Sequence, residues 1–333
     1  MPTPSLYVTR RIFPEAIALL RLVAEVRQWE SDLPPPYERL LAEAKQSDAL
    51  FTLLTDRIDA PLLAAAPRLR VVSNMAVGYN NVDVAAATAR GIYIGNTPGV
   101  LTETTAEFAF ALLLAWARRV PEAQRFAREG RWKTWEPMSL LGVDLHGATL
   151  GIVGVGRIGE AMARRARAFQ MRILYQSRTR KPALERELGI IYAGLDTLLA
   201  ESDFVSLHVP LNAETRGLIG ARQLAKMKPT AALINTARGD VVDQAALIKA
   251  LQAKSIAGAA LDVTDPEPLP AGNPLYQMEN VLLTPHIASA SRGTRLRMAM
   301  MAALNIVDVL EGRAPTHCVN SEATGRRPSR APA

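Results

Sequence analysis

Between residues 148 and 290 the chain alternates short apolar runs with amphipathic stretches, and the first run leads into Gly154-Val155-Gly156-Arg157-Ile158-Gly159. The runs at 149–154, 172–177, 204–209, 231–235, 257–262 and 281–284 are nearly continuous in apolar residues, as strands buried on both faces of a parallel sheet require. Between them, 158–169, 193–201, 221–227 and 244–253 have the length and composition of helices. Parallel strands need crossover connections, so this order predicts a doubly wound α/β unit. Its three glycines then have separate tasks. Gly154 permits a tight turn, Gly156 lets the backbone approach a pyrophosphate, and Gly159 allows helix and strand to pack closely. Val155, Arg157 and Ile158 complete the cradle, whose helix N-terminus offers free amides and a positive dipole end to phosphate. A glycine-rich turn without a ligand is the alternative; the strand before it and the helix after it argue against that.

A site built for NAD places Asp or Glu near the end of the second strand, about twenty residues on, to accept ribose hydroxyls. Here that strand runs into Ser177-Arg178-Thr179-Arg180-Lys181, and no acid lies between Glu160 and Glu185. An acid would repel a 2′-phosphate, whereas Ser177, Arg178 and Thr179 can hydrogen-bond one, with Arg180 adding charge. NADPH is therefore expected over NADH, with a merely solvated basic loop as the alternative.

With 333 residues the chain has room for two domains. The first hundred repeat the α/β rhythm more weakly, with candidate strands at 6–9, 49–54, 71–74 and 92–96 and a helical segment at 14–22. Residues 103–120 read as one long helix with Thr102 as N-cap, too apolar to face water and so expected to pack between domains or subunits. Residues 292–312 read as a further helix, and the Pro- and Arg-rich tail after Val319 as disordered.

Apolar residues make up 49% of the chain and charged ones 21%, the balance of a soluble globular protein. The longest apolar run, 108–117, is roughly half of what a spanning helix needs. The first residues lack the charged and apolar regions of a signal peptide. No membrane partner and a cytoplasmic location are expected. A single cysteine, Cys318, suits a reducing compartment. The net charge is +7, yet neither the cluster at 178–181 nor that at 326–330 is interleaved with aromatics. A field that attracts small anions is expected, not nucleic-acid binding.

Of the histidines, His286 follows the expected strand 281–284 and Pro285, beyond a strand's carboxyl end, where open α/β sheets carry their chemistry. A ketone reduced by hydride leaves an alkoxide that needs a proton, and a cationic imidazole supplies one near neutral pH. Glu267, in Asp265-Pro266-Glu267-Pro268, sits in ring-restricted backbone; paired with His286 it would orient the ring and favour the protonated form. Arg238, in the turn Asn235-Thr236-Ala237-Arg238-Gly239, can grip a carboxylate bidentately and polarise the adjacent carbonyl. Singly, each has an ordinary structural reading as an ion pair, a turn acid or a capping histidine. Jointly they describe a hydride-transfer site. His208 reads as a strand-end residue beside the cofactor, His146 and His317 as surface residues, and no metal-ligand spacing is present.

These strings, together with Val77-Gly78-Tyr79, resemble the D-isomer-specific 2-hydroxyacid dehydrogenase family over about residues 5–318. Residues 261–270 and Ser177-Arg178-Thr179-Arg180 are most similar to its glyoxylate/hydroxypyruvate reductase branch. The resemblance implies catalysis by Arg238, Glu267 and His286, with substrate held by the Val77 and Gly78 amides, Arg238 and Ser289. It implies cofactor contacts from Thr105, the 154–159 turn, Ser177, Arg178, Thr179, Pro210, Thr236, Ala237, Asp262, His286 and Ala288, with Asp262 holding the nicotinamide carboxamide. It also implies two Rossmann-like or flavodoxin-like α/β domains with doubly wound parallel sheets. An NAD(P)-binding domain at 100–287 would be inserted into a split substrate domain at 1–99 and 288–318, leaving a disordered tail at 319–333. A homodimer held largely through the helix after Thr102 would follow.

Two positions depart from the branch. Where some reductases carry a bulky aromatic after a Trp-x-Pro string, Trp135-Glu136-Pro137-Met138 leads to Ser139, which leaves selectivity against bulkier 2-oxo acids open. Ala288 stands where glycine is common and adds a methyl group near the nicotinamide. Phosphite dehydrogenases of the fold carry lysine in place of Val77, and formate dehydrogenases glutamine in place of Glu267, so both are disfavoured. The expected reaction is reduction of glyoxylate or hydroxypyruvate by NADPH, with NADH as a lesser donor. A dehydrogenase for a bulkier substrate and an NAD(P)-sensing corepressor-like protein are the alternatives.

Overall fold

The structure is a computed structural model, which describes residues 2–325. The chain begins with β1 (Ser5–Val8), α1 (Pro14–Arg21), β2 (Glu25–Gln28), α2 (Tyr37–Gln46), β3 (Ala49–Thr52), α3 (Ala60–Ala64), β4 (Val71–Asn74), α4 (Val84–Ala89) and β5 (Tyr93–Gly95). There follow α5 (Thr102–Ala117), α6 (Val120–Arg128), β6 (Thr149–Val153), α7 (Arg157–Ala168), β7 (Arg172–Gln176), α8 (Pro182–Leu188), β8 (Ile191–Tyr192), α9 (Leu195–Glu201) and β9 (Phe204–Leu207). The last are α10 (Ala221–Leu224), β10 (Ala232–Asn235), α11 (Gln244–Gln252), β11 (Gly258–Leu261), β12 (Val281–Leu283) and α12 (Arg292–Leu310). They form two compact units, residues 2–101 with 291–325, and Thr102–Ala290.

In the first unit five parallel strands take the order β2-β1-β3-β4-β5, the flavodoxin-like arrangement. α12, whose Met298, Ala299, Ala302, Ala303 and Ile306 are buried, packs against β3, β4 and α1. The edge strand β2 went unrecognised in the sequence because Glu25-Val26-Arg27-Gln28 is polar and exposed or half-buried along its length. Strand order reverses between β1 and β3, and the loops beyond them are filled by the unit's own ions. Arg10 pairs with Asp56 at 3.1 Å, and Asp56 also accepts from the Thr9 hydroxyl and, at 2.8 Å, from Leu53 N–H. Burial pushes the Asp56 carboxyl up, and these partners oppose it.

The disorder expected from residue 319 does not begin there. Val319 N–H donates to Ile94 O at 2.8 Å, and buried Asn320 accepts from Ile94 N–H while donating to Ile92 O and the Thr88 hydroxyl. A Pro- and Arg-rich composition misleads here because these backbone groups are bonded to a strand edge. A 3-10 turn, Ser321–Gly325, follows. The rest of that expected tail, 326–333, lies outside the described residues.

The second unit has seven parallel strands in the order β12-β11-β10-β9-β6-β7-β8. This is the Rossmann order with one strand added, and its reversal lies between β6 and β9. On one face Leu150, Ile152, Phe204 and Ile234 pack with Met162, Ala163 and Ala166 of α7 and Ala109, Phe110 and Leu113 of α5. On the other, Val205, Leu207 and Leu233 pack with Leu247 and Leu251 of α11. The single helix expected at 103–120 is broken. Pro121 has no N–H for the Ala117 carbonyl, which accepts instead from Val143 at 2.9 Å, and Arg119 turns to φ 52° before α6. Thr102 is already helical rather than the cap. Among the described residues no helix is long and apolar enough to cross a membrane.

Candidate active site

The glycine turn stands at the strand reversal of the second unit. Gly154 has φ +96°, and a Cβ there would lie 2.8–2.9 Å from Val209 and the His208 backbone. A Cβ at Gly159 would lie 2.2 Å from Gly154 O, so α7 can sit this close to β6 only without a side chain. At Gly156 a Cβ would meet nothing within 4 Å. No side chain caps α7, so its first-turn N–H groups face that open space. Thr236 Oγ1 is buried with no hydrogen-bond partner. An open cradle of amides together with an orphaned hydroxyl fits a bound dinucleotide. Buried Val155 and exposed Arg157 belong to this turn, exposed Pro210 follows β9, and buried Thr105 lies in the first turn of α5.

Beside the cradle, Ser206 Oγ and His208 Nε2 lie 2.8 Å apart, and burial lowers the His208 pKa to about 4. The folded value is below the unfolded one, so this stability is complete above about pH 6.5 and is lost as pH falls towards 4. His208 keeps some exposure, which limits the expected loss to about 2 kcal/mol. Between pH 7.5 and 5 the urea midpoint of His208→Gln should fall less than that of the parent. Equal falls would contradict the assignment.

At the end of β7 the basic cluster divides. Arg180 makes two hydrogen bonds of 2.8 Å to Glu185, whose carboxyl it and Tyr175 hold down to about 2. Ser177 Oγ donates to Thr179 O at 2.6 Å, and Arg178 is exposed. Arg180 is thus engaged by the acid that ends the acid-free stretch, and Arg178 has no partner among the described residues.

The strands β10, β11 and β12 are adjacent, which sets the turns after them side by side. After β10, Asn235 ties its own turn: its side chain donates to Arg238 O at 2.8 Å and accepts from Ala237 N–H at 3.0 Å. A Cβ at Gly239 would lie 2.0 Å from the Thr264 carbonyl group. That contact brings the 264–267 segment against Arg238. Burial lowers the Arg238 guanidinium, opposed by Glu267 and Asp240, though not enough to discharge an arginine. After β12, His286 takes φ 54° and its Nδ1 lies 2.5 Å from Glu267 Oε1.

Asp262 holds that last turn. Its Oδ1 accepts from the Thr284 hydroxyl at 2.6 Å and Ile287 N–H at 2.8 Å, its Oδ2 from Ala288 N–H at 2.8 Å, and its carbonyl from His286 N–H at 2.9 Å. Burial pushes its carboxyl up, and these bonds oppose it. Oδ2 thus accepts one hydrogen bond of the two that a carboxylate oxygen can take. Arg238, Glu267 and His286 are therefore gathered in one unit, with Ala288 buried and Ser289 half-buried just beyond. Val77 and Gly78 belong to the other, after β4. The roles of Asn235 and Gly239 were missed in the sequence, where only their place in the Arg238 turn marks them. No group of His, Cys, Asp and Glu able to hold a metal is found among the described residues.

A dinucleotide cradle at a Rossmann reversal, in one unit with a carboxylate-backed imidazole and a guanidinium carried beyond the ends of three adjacent strands, defines a nicotinamide-dependent oxidoreductase of carbonyl or hydroxyl groups. The model of the family described as "D-isomer specific 2-hydroxyacid dehydrogenase, NAD binding domain" matches residues 110–288. The glyoxylate reductase of Aeropyrum pernix is 56% identical over 326 residues, 97% of each chain. That of Korarchaeum cryptofilum is 55% identical over 326 residues, 98% of each. The structure of an NADPH-dependent glyoxylate/hydroxypyruvate reductase from Sinorhizobium meliloti, in complex with NADP and malonate, is 35% identical with a TM-score of 0.85, covering 98% of this chain and 100% of its own. The chain belongs to the D-isomer-specific 2-hydroxyacid dehydrogenase family. It is an NAD(P)-dependent enzyme that interconverts a 2-oxo acid and a 2-hydroxy acid.

Proposed function

We propose that the enzyme reduces glyoxylate to glycolate and hydroxypyruvate to D-glycerate, with NADPH preferred over NADH. The observation that carries the mechanism is the 2.5 Å contact of His286 Nδ1 with Glu267 Oε1 beside a half-buried arginine. The turn of Gly154, Gly156 and Gly159 would hold the dinucleotide, whose nicotinamide would supply the hydride that C2 of the substrate accepts. Arg238 grips the carboxylate and polarises the C2 carbonyl, with the Val77 and Gly78 amides and Ser289 as further substrate contacts. The carbonyl oxygen takes its proton from His286 Nε2, because Nδ1 is engaged by Glu267. Glu267 keeps the ring oriented and offsets its positive charge. Thr236 and Ala237 would line the nicotinamide side, and Asp262, which fixes the 286–288 turn, would receive the carboxamide. The glyoxylate reductases of Aeropyrum pernix and Korarchaeum cryptofilum and the glyoxylate/hydroxypyruvate reductase of Sinorhizobium meliloti support the substrate class.

Ser177, Arg178 and Thr179 carry the NADPH preference in this reading, and the engagement of Arg180 by Glu185 concentrates it on Arg178. Arg178→Ala should raise KM for NADPH about tenfold, the size of one lost charge-assisted contact, and leave KM for NADH within about twofold. Equal change with both cofactors would contradict it. Trp132, Trp135 and Met138 are 68%, 81% and 78% exposed, more apolar surface than an isolated chain ordinarily shows in one segment. We assign it, with α5, to a homodimer contact, in the cytoplasm. The test of the whole reading is kcat/KM for glyoxylate, hydroxypyruvate, pyruvate and phenylpyruvate with each cofactor. Highest values for the first two with NADPH are expected; preference for phenylpyruvate would make Ser139 the mark of a bulkier substrate, and absent turnover would favour a cofactor-sensing protein.

A further inference from the structure

We propose that Asn74, Asn96 and the Thr97 amide form a scaffold that presents three consecutive backbone N–H groups, those of Val77, Gly78 and Tyr79, to one carboxylate. The proposal rests on the reading that the loop after β4 binds the substrate's carboxylate, and it extends the donor set to Tyr79. Each carbonyl of the loop is held from within the unit. Thr97 N–H donates to Ala76 O at 2.9 Å, Asn96 Nδ2 to Val77 O at 2.9 Å, and Asn74 Nδ2 to Gly78 O at 3.0 Å. In a trans peptide the N–H points opposite to the C=O of the same plane. Holding these three carbonyls therefore turns the N–H of Val77, Gly78 and Tyr79 away from the interior. None of the three has a partner among the described residues. Successive unpaired amides are the donor set from which backbone anion sites are made.

The two carboxamides are themselves fixed. Asn74 is fully buried; its Oδ1 accepts from the Thr52 hydroxyl at 3.2 Å, and its Nδ2 also donates to Asn81 Oδ1 at 3.2 Å. Asn81 in turn donates to Leu53 O at 3.1 Å and Asp56 O at 2.9 Å. Reversing the Asn74 amide would set its oxygen against Gly78 O, so the network permits one orientation. Asn96 is 9% exposed, and its backbone is pinned on both sides, its N–H to His317 O at 3.2 Å and its carbonyl by Asn305 Nδ2 at 3.0 Å. A Cβ at Gly95 would lie 2.8–3.1 Å from the Asn305 side chain, so glycine there lets Asn305 reach. Asn74 and Asn96 are positioning residues: they act on the anion through the backbone they hold.

The experiment titrates oxamate, an unreactive carboxylate with an adjacent carbonyl, into NADPH-bound protein labelled with 15N at valine, glycine and tyrosine. The same titration is made on Asn96→Leu, which keeps the volume and removes the donor, and on Asn96→Ala should the first not fold. In the parent the amide signals of Val77, Gly78 and Tyr79 should all move. In the variant oxamate Kd and glyoxylate KM should rise about tenfold, the size of a donor set that has lost its geometry. NADPH Kd should be unchanged and kcat within about threefold, whereas general loosening of the fold would move all four. Loop signals that move in the parent with unchanged oxamate Kd in the variant would overturn the scaffold alone. A still Tyr79 signal beside moving Val77 and Gly78 would overturn the three-amide form. Oxamate bound with no movement at any of the three would overturn the loop as carboxylate site, and the scaffold with it.

Discussion

Replacing His286 by Asn should lower kcat for glyoxylate reduction by about 10²–10⁴-fold, the range for loss of a general acid, while NADPH Kd changes less than about threefold. Asparagine is the informative choice because residue 286 has φ 54°, a left-handed conformation that Asn tolerates and most side chains do not. The turn is otherwise held by Asp262 through the amides of Ile287 and Ala288, which the substitution leaves alone. Glu267→Gln separates orientation from charge: the amide oxygen can still accept from Nδ1, but the negative charge is gone. Its loss of kcat should be smaller than that of His286→Asn. Stopped-flow reduction with pre-bound NADPH checks both. An Asn variant that turns over within tenfold of the parent would remove His286 from proton donation.

Gly239→Ala should cost kcat/KM about 10²-fold, as misplacing reacting groups by about 1 Å does, and stability about 1–3 kcal/mol. A Cβ at that position would lie 2.0 Å from Thr264 C and O and 2.7 Å from Asp265 N. These are backbone atoms, so relief requires moving the Arg238 turn away from the segment that carries Glu267. Gly156→Ala is the contrasting variant. Its Cβ meets no protein atom within 4 Å, so thermal unfolding should be nearly unchanged, whereas NADPH Kd should rise because the methyl occupies the cradle. Intact kcat/KM in Gly239→Ala would mean that the close approach is incidental to the site.

Much of this was legible along the chain. The apolar runs of the second unit lie within a residue or two of β6, β7, β9, β10, β11 and β12; β6, β9, β10 and β11 are buried along their whole length, and strands buried on both faces must be apolar throughout. Two of the edge strands were not legible. β2 is polar, and β8 is two residues long with both exposed, so neither carries a burial pattern. The break after Ala117 was present as Pro121, yet a continuous apolar composition outweighed it. Residues 319–325 were misread because composition reports the tendency of a free chain, while Val319 and Asn320 are bonded to the β5 segment.

What the sequence determined by itself is local: a glycine turn between strand and helix, a basic stretch without an acid, and three residue types able to grip a carboxylate and pass a proton. Tertiary structure alone decided that Arg238, Glu267 and His286 meet, since parallel order sets the ends of β10, β11 and β12 side by side. It also decided that Glu185 engages Arg180 and that Asn74 and Asn96 hold the loop after β4. The reason is physical. Hydrogen bonds and missing Cβ atoms act over about 3 Å, and residues far apart in the chain come within that range only when the sheets have set their strand order.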